Sequence, residues 1–100
     1  MLESEIQNKI TKLYQKEGWM VVKLIKTTVN GICDLMCLRN GKTIFIEVKQ
    51  PGKVPTPLQL FVHDELRKQG FDVFVMNKPE YKLPRGFCEH GKIESILIVK

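Results

Sequence analysis

Cysteine is scarce in this 100-residue chain: there are three, at positions 33, 37 and 88, an odd number with no closely spaced pair. A disulfide framework is thereby excluded, and free thiols fit a reducing compartment in which they behave as small apolar side chains. Long apolar runs are missing as well. The stretch Ile96-Leu97-Ile98-Val99 is far short of the ~18 residues needed to cross a bilayer. The N-terminus carries Glu3 and Glu5 where a secretory signal needs cations. A soluble, cytoplasmic protein without a membrane partner is expected. Repeats and low-complexity segments are absent too. With 43% hydrophobic and 27% charged residues, the chain has the composition of one ordinary globular domain and no room for a second. What it has in surplus is positive charge. Sixteen Lys and Arg against eleven Asp and Glu leave +5, which favours a polyanionic partner without separating nucleic acid from an anionic membrane.

The apolar spacing predicts the elements. Ile6, Ile10, Leu13 and Tyr14 recur at helical steps from Glu3 to Tyr14, a first helix that stops near Gly18. Trp19 to Lys26 is apolar and β-branched and reads as a strand. Ile32 to Leu38 and Thr43 to Lys49 are two further strands around Arg39-Asn40-Gly41-Lys42. Asn-Gly is a strong hairpin signal, because both central residues of a type I′ turn need positive φ. Pro57 fits the first turn of a second helix with Leu58, Phe61, Val62 and Leu66 on its apolar side, ending at Gly70. Asp72 to Met76 reads as a last strand, which after a crossover helix is expected to lie parallel to its neighbour. The order is αβββαβ, an α/β domain with a mixed sheet flanked by helices. Residues 79–100 are unassigned, an edge strand or an interface.

The hairpin brings chemistry together. With Asn40 and Gly41 at the turn, Asp34 falls opposite Glu47. Alternation puts Met36, Leu38, Phe45 and Lys49 on their face and Cys33, Leu35, Cys37, Ile44, Ile46 and Val48 on the other, core face. Two carboxylates directly opposite one another repel, and a divalent cation between them removes that cost. Oxygen-only ligation is the pattern of Mg²⁺ or Mn²⁺. Lys49, two residues past Glu47, would stabilise charge on a phosphate or orient a water. The plain alternative is a solvated charge triangle worth ~0 to 1 kcal/mol. Against it, both acids interrupt apolar strands of the kind covered on both faces, where an unpaired carboxylate is costly.

Gly31-Ile32-Cys33-Asp34-Leu35, Ile44-Phe45-Ile46-Glu47-Val48-Lys49, Pro55-Thr56-Pro57-Leu58-Gln59 and Gly70-Phe71-Asp72-Val73 together resemble the VRR-NUC branch of the PD-(D/E)xK nuclease superfamily, in its stand-alone phage and bacterial form. The resemblance covers roughly residues 2 to 78. A bare Asp…Glu-x-Lys recurs by chance, whereas the ordered set is much more specific. The resemblance implies a restriction-endonuclease-like core and a Mg²⁺- or Mn²⁺-dependent phosphodiesterase acting on DNA. It implies Asp34, Glu47 and the Val48 carbonyl as metal ligands, Lys49 as catalytic base or charge stabiliser, and Gln59 near the active site. A first-helix Glu completes the metal site: Glu3, three residues before Ile6, with Glu5 as the alternative. The usual Pro before the metal-binding Asp is Cys33 here.

His63, one turn after Gln59, reads as a DNA-phosphate contact or as a helix-surface or packing histidine. Lys53, in a Pro51-Gly52-Lys53 turn that lacks the P-loop pattern, is available to a DNA phosphate. Cys88 and His90 lack the further ligands zinc needs, since Cys33 and Cys37 are assigned to the core. Trp19 and the helix aromatics read as core. Lys9, Lys12, Lys16, Lys23 and Lys26 form a solvated face or one suited to DNA. The expected protein is a small DNA endonuclease, acting in the cytoplasm of a bacterium or phage-infected host. One 100-residue subunit offers one active site, so cutting both strands or resolving a four-way junction requires a symmetric homodimer, with residues 93–99 near the contact. The rival is a non-catalytic DNA-binding or scaffolding module, for which an intact Asp34, Glu47 and Lys49 set has no use. A site-specific restriction enzyme is disfavoured because no extra segment is present for base readout.

Overall fold

In the computed structural model, which describes residues 1–87, helix α1 spans Glu3–Lys16. Its inward stripe is Ile6, Ile10 and Tyr14, all buried, while Leu13 is 36% exposed beside Lys9, Lys12 and Lys16. The strands are β1 (Met20–Lys23), β2 (Leu35–Arg39), β3 (Lys42–Val48) and β4 (Asp72–Met76), with helix α2 (Pro57–Lys68) between the last two. The sheet order is β1-β2-β3-β4. Its first two pairings are antiparallel and β3–β4 is parallel, joined through α2. The αβββαβ order and the α/β class are those expected.

Asn40 (φ 48°) and Gly41 (φ 75°) both occupy the left-handed region, and Arg39 faces Lys42, as a type I′ hairpin requires. That turn sets the register that pairs Leu35 with Ile46 and Cys37 with Ile44. One face of the sheet, with Leu35, Cys37, Ile44, Ile46 and Val48, packs on Ile6, Ile10 and Tyr14 of α1 and on Trp19 and Met76. Each fully buried aliphatic side chain there contributes about 1.5–3 kcal/mol. The other face carries a smaller cluster of Cys33, Phe45 and Val73, with Leu24, Met36 and Leu66 against it. Cys33 is therefore not on the α1 face that strand alternation predicts. Regular β2 begins only at Leu35, and the bend at Asp34 breaks the alternation before it.

Helix α2 opens with Thr56 and Gln59 capping each other. The Gln59 N–H donates to Thr56 Oγ1 (3.2 Å), and the Thr56 N–H donates to Gln59 Oε1 (2.9 Å). Its inward face also differs from expectation. Leu58 and Phe61 are 51% and 61% exposed, and the buried residues are Val62 and His63. The stripe that meets the sheet is Gln59, Val62, His63 and Leu66, two of them polar. Gly31 lets the preceding loop rest on this helix. Its φ is +83°, and a Cβ there would stand 2.9 Å from Leu58 Cγ and 3.3 Å from the Leu58 carbonyl.

After β4 the chain returns to the α1 side. The Tyr14 hydroxyl donates to the Lys82 carbonyl (2.6 Å) and accepts from the Lys82 N–H (2.8 Å), and Trp19 Nε1 donates to the Tyr81 hydroxyl (2.9 Å). Tyr81, Leu83 and Phe87 close over the α1-side core. The expectations for Cys88, His90 and residues 93–99 lie outside the described residues. Among the described residues no helix is long and apolar enough to cross a membrane.

Candidate active site

Asp34 stands where the β2 ladder loses its regular register. Its N–H donates to the Ile46 carbonyl (3.1 Å), although Ile46 already faces Leu35. Two residues thus oppose one, the arrangement of a bulge, which re-aims a side chain. The Asp34 carboxylate turns to the next strand and accepts from the Val48 N–H at 2.8 Å. Glu47 lies in the centre of β3, 1% exposed. Its neighbours Ile46 and Val48 point into the α1-side core, which directs Glu47 to the α2 side. There it lies beside Asp34, whose carboxylate holds the N–H of the next residue along β3.

Burial pushes the Glu47 carboxyl up to about 8, and the charge of Asp34 pushes the same way. The Lys49 ammonium opposes the shift, and the Glu3 carboxylate adds to it. Four sequence-predicted residues, Glu3, Asp34, Glu47 and Lys49, therefore act on one locus. Glu5 is differently engaged, accepting from the Leu2 N–H at 3.4 Å as a helix cap.

Helix α2 supplies two further partners. Gln59 Nε2 donates to Glu47 Oε2 at 3.4 Å, and His63 Nε2 lies 3.1 Å from Glu47 Oε1. His63 is 0% exposed, so the helix-surface position that was one reading of it is not realised, and the ring turns inward against Glu47. Burial first, then the Arg67 guanidinium, holds its imidazole below the usual range. Its Nδ1 has no hydrogen-bond partner among the described residues. Since a buried orphan N–H is costlier than an orphan acceptor, the ring proton belongs on Nε2, donating to Glu47. The contact is then a hydrogen bond between uncharged groups.

Cys33 completes the cluster. A donor atom from each of Cys33, Glu47 and His63 lies within 4.8 Å of the others, and burial pushes the Cys33 thiol up to about 12. Sequence reasoning gave Cys33 no part in the site and left the inward turn of His63 as one of several readings. The available signal was the four-residue step from Gln59 to His63, which puts both on one helix face. Lys53 is exposed on the turn after β3, its N–H donating to the Gln50 carbonyl (3.0 Å). Beside Asp34 opens a cleft of about 340 Å³ under the loop from Leu24, lined by Lys26, Thr27 and Asn30 among others.

A mixed sheet that carries an Asp…Glu-x-Lys set between two flanking helices is the architecture of an α/β nuclease. No family model matches the sequence. A curated relative from Acyrthosiphon pisum secondary endosymbiont phage 1, named "Putative nuclease p44", is 35% identical over 79 residues, covering 78% of this chain and 85% of its own. A solved structure titled "VRR_NUC domain" superposes with a TM-score of 0.70 at 26% identity, covering 96% of this chain and 94% of that one. The chain belongs to the VRR-NUC nucleases.

Proposed function

We propose that this nuclease is a divalent-metal-dependent DNA endonuclease that hydrolyses phosphodiester bonds at Asp34, Glu47 and Lys49. The observation that carries the reading is a Glu47 carboxyl shut away from water, 1% exposed, beside the carboxylate of Asp34, which accepts from the N–H of the next residue along β3, Val48, at 2.8 Å. A buried acid beside a second carboxylate cannot ionise without cost unless something positive joins the two. Oxygen donors alone fit a hard cation such as Mg²⁺ or Mn²⁺. Asp34 and Glu47, with Glu3 and the Val48 carbonyl, would hold it. When bound, such a cation supplies positive charge that polarises the scissile phosphate and makes an attacking water more acidic.

The chain's own groups do the rest. Gln59 and His63 each hold one oxygen of Glu47 and fix the plane of its carboxylate. Lys49 carries a charge toward the same locus, where an ammonium stabilises the negative charge that grows on phosphorus-bound oxygens as water adds and the leaving oxygen departs. The cleft beside Asp34, with Lys26 in its wall, and the exposed Lys53 offer phosphate contacts along the backbone.

Branched DNA is the preferred substrate class and a homodimer the acting form, because one chain holds one such site and paired incisions need two related by symmetry. With DNA as substrate, the place of action is inside the cell. The test is a panel of labelled linear, flap and four-way DNA incubated with Mg²⁺, Mn²⁺ or EDTA, alongside light scattering. Cleavage with either cation and none in EDTA supports the reading, and a monomer fully active on the four-way substrate removes the paired-site form. Binding without cleavage under every condition favours the scaffolding alternative.

A further inference from the structure

The α2 side of Glu47 holds a thiol that phosphodiester hydrolysis on a hard cation leaves unused, next to the imidazole that orients Glu47. Cys33 and His63 are both 0% exposed, Glu47 is 1% exposed, and their donor atoms lie within 4.8 Å of one another. Thiolate and imidazole are the donors Zn²⁺ favours, whereas Mg²⁺ takes oxygen almost exclusively. A tetrahedral Zn²⁺ with bonds of about 2.0–2.3 Å sets its ligands ~3.5 Å apart, so contraction of the cluster by about an ångström brings all three into reach. Three protein ligands leave the fourth position to a bound water.

We propose that Cys33, Glu47 and His63 form a second, soft-metal site that takes Zn²⁺, and that its use of Glu47 makes Zn²⁺ and the hard cation mutually exclusive. The exclusion rests on the reading that Glu47 holds the hard cation; the Zn²⁺ site itself does not. As the Zn–S bond forms, the Cys33 thiol proton leaves to solvent, and the imidazole proton moves from Nε2 to Nδ1 so that the Nε2 lone pair meets the metal. Glu47 gives up its proton to solvent and binds through a carboxylate oxygen. With Glu47 drawn toward α2, Asp34 loses its partner in the oxygen site. Zn²⁺ is then an inhibitor of cleavage that acts without touching DNA.

Co²⁺ is the probe, because a Co–S bond gives a thiolate charge-transfer absorption. Titration of the reduced protein should produce that band at one equivalent in wild type and in Cys37→Ser and Cys88→Ser, and not in Cys33→Ser. Zn²⁺ should abolish the band, and Mg²⁺ should weaken Co²⁺ binding in proportion to its concentration. Zn²⁺ inhibition of Mg²⁺-supported cleavage should need at least about tenfold more Zn²⁺ in Cys33→Ser, since even the loss of a group that only supports a metal ligand costs that much. Should Cys33→Ser fail to fold by circular dichroism, alkylation of Cys33 in the wild type, followed by mass spectrometry, serves instead, and Zn²⁺ should slow it. No band in wild type, a band that survives in Cys33→Ser, or alkylation indifferent to Zn²⁺ overturns the site, whatever the activity on DNA. A Cys33-dependent band that Mg²⁺ leaves unchanged overturns the exclusion. A protein that binds Co²⁺ through Cys33 yet cuts no DNA sinks the nuclease mechanism and keeps the Zn²⁺ site.

Discussion

His63 Nε2 stands 3.1 Å from Glu47 Oε1, with side-chain exposures of 0% and 2%, so helix α2 fixes the orientation of an acid carried by strand β3. Gln59, one turn earlier, holds the other oxygen. The helix that crosses from β3 to β4 thus does more than connect parallel strands. It presents two polar side chains inward at positions where an ordinary amphipathic helix would spend apolar ones.

Removal of His63 should therefore act through Glu47. His63→Ala leaves a buried carboxyl short of a donor, at a cost of about 1–3 kcal/mol, and should raise the Mg²⁺ concentration needed for half-maximal cleavage. His63→Gln, which returns an N–H at similar reach, should recover most of the Mg²⁺ response. If alanine lowers stability but leaves the Mg²⁺ requirement unchanged, His63 is a packing residue only.

The acid pair sets the pH dependence of stability in the absence of metal. The Glu47 carboxyl is raised from 4.5 to about 8, so the native state keeps a proton that the unfolded chain has lost. Its contribution is complete below about pH 4.5 and is lost as the pH climbs to about 8. His63, shifted downward, works in the opposite sense, losing stability as the pH falls below its ordinary value. Between pH 6.5 and 8 Glu47 dominates. The melting temperature in EDTA should fall across that window, by the equivalent of a few kcal/mol at most, and Glu47→Gln should flatten it. A wild-type melting temperature that rises across the window contradicts the buried, protonated Glu47.

Much of this was legible in the residues, and the failures have physical causes. Asn40-Gly41 located the hairpin and its register because few sequences tolerate two successive positive φ values. Asp72–Met76 was legible because Gly70 and the end of the α2 pattern bracket it. Alternation failed at Cys33 because it holds only within a regular ladder, and the ladder starts one residue after Asp34. The apolar count on α2 chose Leu58 and Phe61 as inward because it passed over Gln59 and His63, which face in to serve Glu47. Tyr81 and Phe87 gave no periodic signal, since an irregular segment that caps a core has none.

Metal should stabilise the native state alone. Mg²⁺ or Mn²⁺ at a hundredfold excess over Kd should add about 2.7 kcal/mol, seen as a rise in melting temperature, and Asp34→Asn should remove most of it. An equal rise in the variant would put the hard cation elsewhere than between Asp34 and Glu47.

The segment after β4 should matter for folding and not for chemistry. Tyr14→Phe deletes a hydroxyl that both donates to and accepts from the Lys82 backbone, which should cost about 1–3 kcal/mol in urea unfolding. Cleavage at a temperature where both proteins are folded should be unaltered. A fall in turnover there would tie residues 79–87 to the active site.

The most direct measurement compares DNA binding and Mg²⁺-supported cleavage by wild type and Lys49→Ala. Lys49 adds its charge where Asp34 and Glu47 meet, and its loss leaves both acids in place. Affinity, spread over many cations, should drop modestly, with a salt slope smaller by about 1. Turnover should drop on the order of 10²-fold or more, as when one preorganised charge-stabilising group is removed. If affinity and turnover fell by the same factor, Lys49 would be a binding residue, and the assignment of the Asp34, Glu47 and Lys49 set as the hydrolytic centre would be wrong.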